Sequence, residues 1–270
     1  MHSKSKKVFA TSCALLACFF QITIPAFAHS ELVSFPGQMT PLAYRSPTIS
    51  YNLNGANERF LVYVPDNYSN TGQFGLIVFN SPIDTIRGVP DGWEDVLHSQ
   101  KFLLVAPENA GNGQSTERRA GLGVLAAKAM IAKYNIDKSR IYAAGLSGGA
   151  RIASILGFCQ GDIFRGTIQS CGTNFIKPIV WRLANPESAS DKQYGQARAT
   201  AQEIDYAKRY VRFALITGSN DFRYNYIRDI YNNGFVPERF QCKLFDIPNM
   251  QHINCDGDAL RQALEFLRGR

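Results

Sequence analysis

The sequence lacks the features that mark several broad classes of protein. Only 19% of its 270 residues are charged, 45% are hydrophobic, and no internal repeat or low-complexity block is present. This balance excludes a disordered, collagen-like or coiled-coil protein. The six cysteines do not indicate a disulfide miniprotein, because a chain of 270 residues can bury a core of its own. The length allows one large domain or two small ones.

Motifs for metals, nucleotides and membranes are also missing. The cysteines have no C-x-x-C spacing, and the chain contains no G-x-G-x-x-G motif and no P-loop. No apolar run is long enough for a comfortable transmembrane helix. We therefore predict no metal site, no cofactor and no stable membrane insertion of the mature chain.

The first 28 residues are typical of an export signal. Three lysines within residues 4–7 precede an apolar stretch from Val8 to Phe20, and Ala26-Phe27-Ala28 is a small-x-small cleavage site. We predict that residues 1–28 are removed, so that the mature protein begins at His29 in the periplasm or outside the cell.

A second interpretation of this segment is a lipoprotein signal. Leu15-Leu16-Ala17-Cys18 resembles a lipobox, and processing there would leave an acylated Cys18 at the membrane. The stretch from Phe19 to Ala28 stays apolar, whereas a lipoprotein tether is usually polar. Cleavage after Ala28 is therefore the favoured interpretation.

Loss of the signal changes both the charge and the cysteine content. The full chain has 29 basic and 22 acidic residues, a net charge of +7, and three of the lysines lie in the signal. The remaining +4 is an ordinary surface balance and gives no support to nucleic-acid binding. Four cysteines remain, and an even number in an exported protein favours two disulfides.

Strand and helix patterns alternate along most of the mature chain. The apolar runs at 74–79 and 102–106 are typical of strands buried on both faces. Further strands are predicted at 59–64, 140–144, 166–170, 211–217 and 240–247. Helices are predicted at 91–100, 116–134, 148–158, 196–209, 224–232 and 258–268. This order predicts an α/β fold, a mostly parallel central sheet with helices on both faces, in one domain over residues 29–270.

Two segments do not follow this alternation. Residues 30–47 are interrupted by prolines and predict irregular structure. Residues 172–196 lack clear periodicity, and they are interpreted either as a cap over a functional site or as a long surface loop.

The strongest motif is Gly145-Leu146-Ser147-Gly148-Gly149, which matches G-x-S-x-G. A predicted strand ends at Ala144 and a predicted helix begins near Gly148, so the motif lies on a strand-to-helix turn that exposes a serine. The N–H groups at the start of the helix point to where an oxyanion would form. We predict Ser147 as a nucleophile.

A serine nucleophile needs a base, and elimination leaves His252. His2 lies in the signal, His29 is the mature N-terminus, and His98 lies in a predicted helix. His252 instead follows the last predicted strand, where a loop at the carboxyl edge of the sheet can reach Ser147.

The imidazole in turn needs an orienting carboxylate, for which Asp221 is the best candidate. Asp221 follows the strand at 211–217, at the same edge of the sheet. Asp205 lies within a predicted helix and Asp246 within a strand, and Asp229 is a distant alternative. The order Ser147, Asp221, His252 is the order found in α/β hydrolases.

With these residues in place, the chain resembles an α/β-hydrolase esterase of the group that contains secreted polyhydroxybutyrate depolymerases and feruloyl or acetyl-xylan esterases. The resemblance implies an esterase that forms an acyl-enzyme on Ser147, with His252 as general base and then acid, Asp221 as its orienting carboxylate, and Gly148 as one oxyanion donor. The matching stretches are Arg59–Pro65, Phe102–Asn109, Tyr134–Ala153, Thr217–Asp221 and Pro248–His252.

One departure from that group affects the second oxyanion donor. Relatives usually have a His-Gly pair where this chain has Asn80-Ser81-Pro82, and proline has no N–H to donate. The second donor is then Ser81 or Ile83, or a side chain such as that of Asn80 or Ser81, and Ser81 is the preferred residue. Because of this departure, a non-catalytic binding protein on the same scaffold is an alternative interpretation. An acyltransferase or a peptidase is a further alternative, since either would use the same triad.

Topology suggests how the four cysteines pair. Cys159 ends a helix at the edge away from the site and Cys171 ends the next strand at the site. About ten helical residues separate them by roughly 15 Å, too far for a bond. We predict a Cys171–Cys255 disulfide beside the histidine loop and, by elimination, a Cys159–Cys242 disulfide.

Overall fold

A computed structural model of the protein describes residues 29–39, 52–177 and 197–269. The predicted signal at 1–28, the lipobox cysteine Cys18 and most of the 172–196 segment lie outside the described residues. Within the described ranges, no helix has both the length and the apolar character needed to cross a membrane.

The described strands form one sheet in the order β1-β2-β4-β3-β5-β6-β7-β8. The pairs β1–β2 and β2–β4 are antiparallel, whereas all pairs from β4 to β8 are parallel. The strands are β1 (His29–Val33), β2 (Phe60–Val64), β3 (Phe74–Asn80), β4 (Phe102–Pro107), β5 (Ile136–Leu146), β6 (Gly166–Ser170), β7 (Arg212–Gly218) and β8 (Gln241–Ile247).

Helices cover both faces of this sheet. One core cluster joins alternate strand residues to the apolar sides of α2 and α3, and the other joins the opposite strand face to α1 and α6. This confirms the predicted fold class. The helices are α1 (Glu94–Gln100), α2 (Thr116–Lys133), α3 (Gly148–Cys159), α4 (Ala201–Tyr210), α5 (Tyr224–Ile230), which continues into a π-turn at Tyr231–Phe235, and α6 (Gly257–Arg268).

The structure differs from the sequence prediction at several element ends. His29–Val33, placed in a segment predicted to be irregular, forms an edge strand antiparallel to β2. α1 begins three residues late, after Gly92 takes a φ of 75°. α4 begins at Ala201 because Thr200 and Glu203 form a capping box there.

The predicted Cys159–Cys242 disulfide is not formed among the residues that the structure describes. Aromatic rings fill the space between the end of α3 and the start of β8. Phe158 stacks on Phe213 with ring centroids 4.8 Å apart and meets Phe240 edge-on at 5.2 Å. Topology correctly kept Cys159 away from Cys171, but it did not anticipate this aromatic packing.

The predicted Cys171–Cys255 disulfide is also absent. The thiol of Cys171 faces the backbone carbonyls of Gln251 and Ile253, at 3.5 and 3.4 Å. The main chain of Cys255 is fixed at both of its polar groups, because its N–H donates to Ser170 Oγ at 3.3 Å and its carbonyl accepts from Trp93 Nε1 at 2.7 Å. The two cysteines lie in the same region of the fold without being joined.

Candidate active site

The candidate residues follow the carboxyl ends of parallel strands, which meet at one edge of the sheet. Ser81 comes directly after β3, Ser147 after β5, Cys171 after β6, Asp221 three residues after β7 and His252 five residues after β8. Parallel pairing therefore gathers at one edge residues that are up to 171 positions apart in the chain.

Ser147 lies on a strained turn between β5 and α3. Its φ of 55° and ψ of −118° are disfavoured for a residue with a side chain. The turn is possible because Gly145 and Gly149 face each other and the main chain of Asn80, where a Cβ on either glycine would overlap backbone atoms. The N–H of Ser147 donates to Ser170 O at 2.8 Å, which fixes the turn against β6.

Asp221 and His252 form a direct hydrogen bond, with Nδ1 of His252 2.7 Å from Oδ1 of Asp221. The carboxylate also accepts from the Thr217 hydroxyl at 2.7 Å and from the Arg223 N–H at 3.0 Å. Asp221 is buried, and burial raises its pKa. The hydrogen bonds from His252, Arg223 and Thr217 outweigh that effect, so the pKa lies below its ordinary value. The carboxylate is therefore ionised and holds one ring nitrogen of His252.

Backbone contacts tie the aspartate loop to the histidine loop. Asn220 N donates to Met250 O at 3.2 Å, and Asn249 N donates to Ser219 Oγ at 3.0 Å. Because β7 and β8 are neighbours in the sheet, these bonds join two loops that start side by side. The geometry of the Asp221–His252 pair therefore depends on both loops.

Phe222 covers one face of the imidazole. Its ring centroid lies 4.2 Å from that of His252, with the planes tilted by 32°, although 74% of the Phe222 surface is exposed. An exposed phenylalanine in this position limits the rotation of His252 and shields the Asp221–His252 bond from water.

Ser147 and His252 are not hydrogen-bonded to each other within the described part of the chain. Both lie at the same edge of the sheet, and catalytic hydrogen bonds are often long in the absence of substrate. The structure thus contains a formed Asp221–His252 hydrogen bond and a serine on a strained turn. The hydrogen bond between Ser147 and His252 is not formed.

The residues after β3 narrow the choice of a second oxyanion donor. Pro82 has no N–H, and the N–H of Ile83 donates to Ser81 Oγ at 3.1 Å. The amide of Asn80 donates to Val78 O and Ala144 O, at 3.3 and 3.1 Å. The backbone N–H groups of Ser81 and Gly148 make no hydrogen bond within the described ranges. Of the predicted backbone donors, the Ser81 N–H is the one that remains available.

The Asn80–Ser81 main chain lies directly against the start of α3. A Cβ on Gly149 would overlap Asn80 O and come within 3.2 Å of Ser81 C. This approach places the main chain of Ser81 beside the first turn of the helix.

A buried arginine holds the loop that contains Ser81. Arg119 of α2 is fully buried and donates to Ser81 O at 3.0 Å, Ala110 O at 2.6 Å and Asn112 Oδ1 at 3.1 Å. Burial lowers its pKa to about 10, a shift that nearby Asp84 partly opposes. The guanidinium stays charged at neutral pH and joins the loops that follow β3 and β4.

A cavity of about 660 Å³ lies at the other edge of the sheet and contains none of the candidate catalytic residues. Three of its five lining arginines donate to carbonyls near helix ends: Arg140 and Arg268 to Gln100 O, and Arg212 to Leu267 O. Cations at helix C-termini stabilise the helices. This cavity is therefore separate from the candidate active site.

Sequence reasoning did not single out two residues that shape the site, Arg119 and Phe222. Phe222 had a local signal, because it directly follows Asp221. Arg119 had none, since its partners include residues 7 and 38 positions away. Cys171 was placed at this edge of the sheet, but as a disulfide candidate and not as a neighbour of the Asp–His pair.

No protein-family model and no curated protein matches the sequence, whereas many solved structures do. An S-formylglutathione hydrolase from Staphylococcus aureus is 16% identical, with a TM-score of 0.54, over 91% of this chain and 97% of that chain. FphF, a fluorophosphonate-binding serine hydrolase of the same organism, is 14% identical with a TM-score of 0.56, over 89% of this chain and 98% of that one. These likenesses show that the chain has the α/β-hydrolase fold.

A third similar structure comes from a longer protein. Dipeptidyl peptidase 4 of Porphyromonas gingivalis is 12% identical with a TM-score of 0.56, over 90% of this chain. The match spans 36% of the peptidase. The fold is therefore shared by hydrolases of different specificity.

The packing at Gly149 can be tested by adding one methyl group. We expect Gly149→Ala to lower the free energy of unfolding by about 1–3 kcal/mol, because the new Cβ overlaps Asn80 O. Gly113→Ala is the matched control, since a Cβ there meets nothing within 4 Å. Urea unfolding of both variants measures the difference. Equal stability of the two variants would contradict the close approach.

The buried Asp221 predicts a pH-dependent stability. A carboxyl whose pKa is lowered on folding stabilises the protein above its unfolded pKa, and this contribution is lost as pH falls through the folded pKa. We expect the wild type to have a higher free energy of unfolding than Asp221→Asn at neutral pH. This difference should shrink as pH falls from about 5 to 2, because the folded-state pKa of Asp221 lies below the ordinary value of 3.8. Urea unfolding at each pH measures it, and a constant difference would argue against an ionised Asp221.

Proposed function

We propose that this protein is a serine hydrolase that cleaves a carboxylic ester, with Ser147, His252 and Asp221 as its catalytic triad. The observation that carries the proposal is the 2.7 Å Asp221–His252 bond at the sheet edge where Ser147 occupies a strained turn. A buried, ionised carboxylate on Nδ1 leaves Nε2 of the neutral imidazole as the proton acceptor.

In the proposed mechanism, Ser147 Oγ attacks the carbonyl carbon of the ester while His252 Nε2 takes its proton. The tetrahedral intermediate collapses, the alcohol leaves with the proton from His252, and an acyl-enzyme on Ser147 remains. Water, deprotonated by His252, then attacks the acyl-enzyme, and His252 returns the proton to Ser147 Oγ as the acid is released. Asp221 stays ionised throughout and stabilises the imidazolium that forms at each step.

The developing oxyanion is proposed to bind the N–H groups of Gly148 and Ser81. Gly148 is at the N-terminus of α3, where the helix dipole adds positive potential. The contacts of Arg119 with Ser81 O and Asn112 keep the Ser81 loop in place against Gly149. In this proposal the Ser81 N–H donates to the oxyanion, because Pro82 has no N–H to donate.

Ester hydrolysis is favoured over the alternatives with the same triad. The similar structures include a ferulic acid esterase, 14% identical over 89% of this chain with a TM-score of 0.55, as well as peptidases. An acyltransferase or a peptidase would keep the first half of the mechanism and differ in the acceptor or the leaving group. A binding protein on this scaffold would not need an ionised carboxylate on His252.

Labelling of the nucleophile tests the proposal. We expect a fluorophosphonate probe to label the wild type and Ser139→Ala, a control serine lining the opposite edge, but to spare Ser147→Ala. Turnover of p-nitrophenyl acetate and butyrate should fall at least about 1,000-fold in Ser147→Ala and His252→Gln, because each removes a group that acts in the same step.

The outcomes separate the alternatives. Equal labelling of the wild type and Ser147→Ala would reject Ser147 as nucleophile. Labelling without ester turnover, but with cleavage of peptide substrates, would favour the peptidase. The absence of both labelling and turnover would favour the binding protein.

We also propose that the protein is exported, with cleavage after Ala28. The sequence of residues 1–28 supports the proposal. Mass spectrometry of the protein expressed with its own N-terminus should find His29 as the first residue. A chain beginning at an acylated Cys18, with a gel shift in globomycin, would instead identify a lipoprotein.

A further inference from the structure

Cys171 is held rigidly between the serine turn and the histidine loop. Its φ of 55° is disfavoured for a residue with a side chain, and its N–H donates to Ile216 O at 2.8 Å. The next residue, Gly172, packs so closely on Ser147 that a Cβ there would overlap the Ser147 carbonyl. This backbone places the Cys171 thiol on the side of Asp221 and His252.

The thiol lies next to the Asp–His pair. Sγ of Cys171, a carboxylate oxygen of Asp221 and a ring nitrogen of His252 all lie within 4.8 Å of one another. Sγ also faces the carbonyls of Gln251 and Ile253, on either side of His252. Sulfur, oxygen and nitrogen ligands of this kind are those that Zn²⁺ uses in proteins, with bonds of about 2.0–2.3 Å. One ion would replace the 2.7 Å hydrogen bond between Asp221 and His252, because two ligands of a tetrahedral ion lie farther apart than that, and it would draw Sγ towards the pair.

The charges of these groups also suit a divalent cation. A thiolate and the Asp221 carboxylate together carry two negative charges, and the imidazole binds as a neutral ring. The site would therefore be neutral with a divalent ion in place, which avoids the cost of a net charge in a buried position. A thiolate ligand favours soft cations such as Zn²⁺ or Cd²⁺ over Mg²⁺ and Ca²⁺.

We propose that Cys171, Asp221 and His252 form a binding site for one soft divalent cation, and that occupation of this site inhibits the enzyme. The thiol of Cys171 releases its proton to solvent as the metal–sulfur bond forms. Nothing is oxidised or reduced, and the imidazole keeps its one ring proton.

Binding of the ion through either ring nitrogen of His252 would inhibit the enzyme. If Nδ1 is the ligand, the ring proton resides on Nε2, which is then unable to accept the proton of Ser147. If Nε2 is the ligand, the metal occupies the base itself. The inhibition rests on the proposed function, whereas the binding of the cation does not.

Cadmium titration tests the site without relying on activity, through the ultraviolet charge-transfer band of a cadmium–thiolate bond. We expect a band that saturates at one equivalent of Cd²⁺ in the wild type and in Cys242→Ser, a control at the half-buried cysteine on β8. The band should be lost in Cys171→Ser, which keeps a small polar side chain, and in Cys171→Gly, which also relieves the positive φ. His252→Ala keeps the thiol and should bind Cd²⁺ at least about 10-fold more weakly.

Zinc inhibition of ester turnover is the second measurement, with each variant compared with its own zinc-free activity. The wild type and Cys242→Ser should be inhibited by Zn²⁺ and recover with a chelator. Cys171→Ser should need at least about 10-fold more Zn²⁺ for the same fractional inhibition.

Several results would overturn the proposal. These are a wild type without the band in excess Cd²⁺, a band or zinc sensitivity unchanged in the Cys171 variants, and a Cd²⁺ affinity unchanged in His252→Ala. A wild type that shows the band but hydrolyses no ester would leave the cation site standing and reject the proposed function instead.

Discussion

The close approach of the Asn80–Ser81 peptide to the start of α3 is the constraint on which the rest of the site depends. Gly145 and Gly149 permit it, because a side chain at either position would overlap backbone atoms. The approach accompanies the strained conformation of Ser147 and places the main chain of Ser81 beside the first turn of α3. Arg119 supports it from behind by binding the Ser81 carbonyl. One backbone contact thus organises both the serine and the proposed oxyanion hole.

A second buried centre, the Asp221 carboxylate, organises the other half of the site. It collects hydrogen bonds from His252, Thr217 and Arg223, and the thiol of Cys171 lies beside it. These donors keep the carboxylate ionised despite its burial. The proposed hydrolysis and the proposed cation binding use the same property, a buried negative charge next to an imidazole. A single site can therefore be both a catalyst and a target for soft metals.

The fold and the strong motif could be predicted from the sequence, because both are local. Buried parallel strands appear as continuous apolar runs, and the G-x-S-x-G turn lies between one of them and a helix. Element ends were less predictable where pairing or capping decides them. The edge strand at His29–Val33 exists through its pairing with β2, and the start of α4 through the Thr200 cap. Neither predicted disulfide is formed. The predictions were based on the ends of strands and helices, and took no account of the packing of Phe158 or of the direction of the Cys171 thiol.

The sequence by itself determined the fold class, the position of Ser147 on its turn and the order of Ser147, Asp221 and His252. These features can be predicted because hydrophobic periodicity and turn preferences depend on residues that are close together in the sequence. Only the tertiary structure decided that Asp221 contacts His252, that Ser81 offers the available N–H, that Arg119 holds its loop, and that Cys171 lies beside the Asp–His pair. Those contacts join residues far apart in the chain. They are fixed by the register of parallel strands and the direction of individual side chains, which no local pattern records.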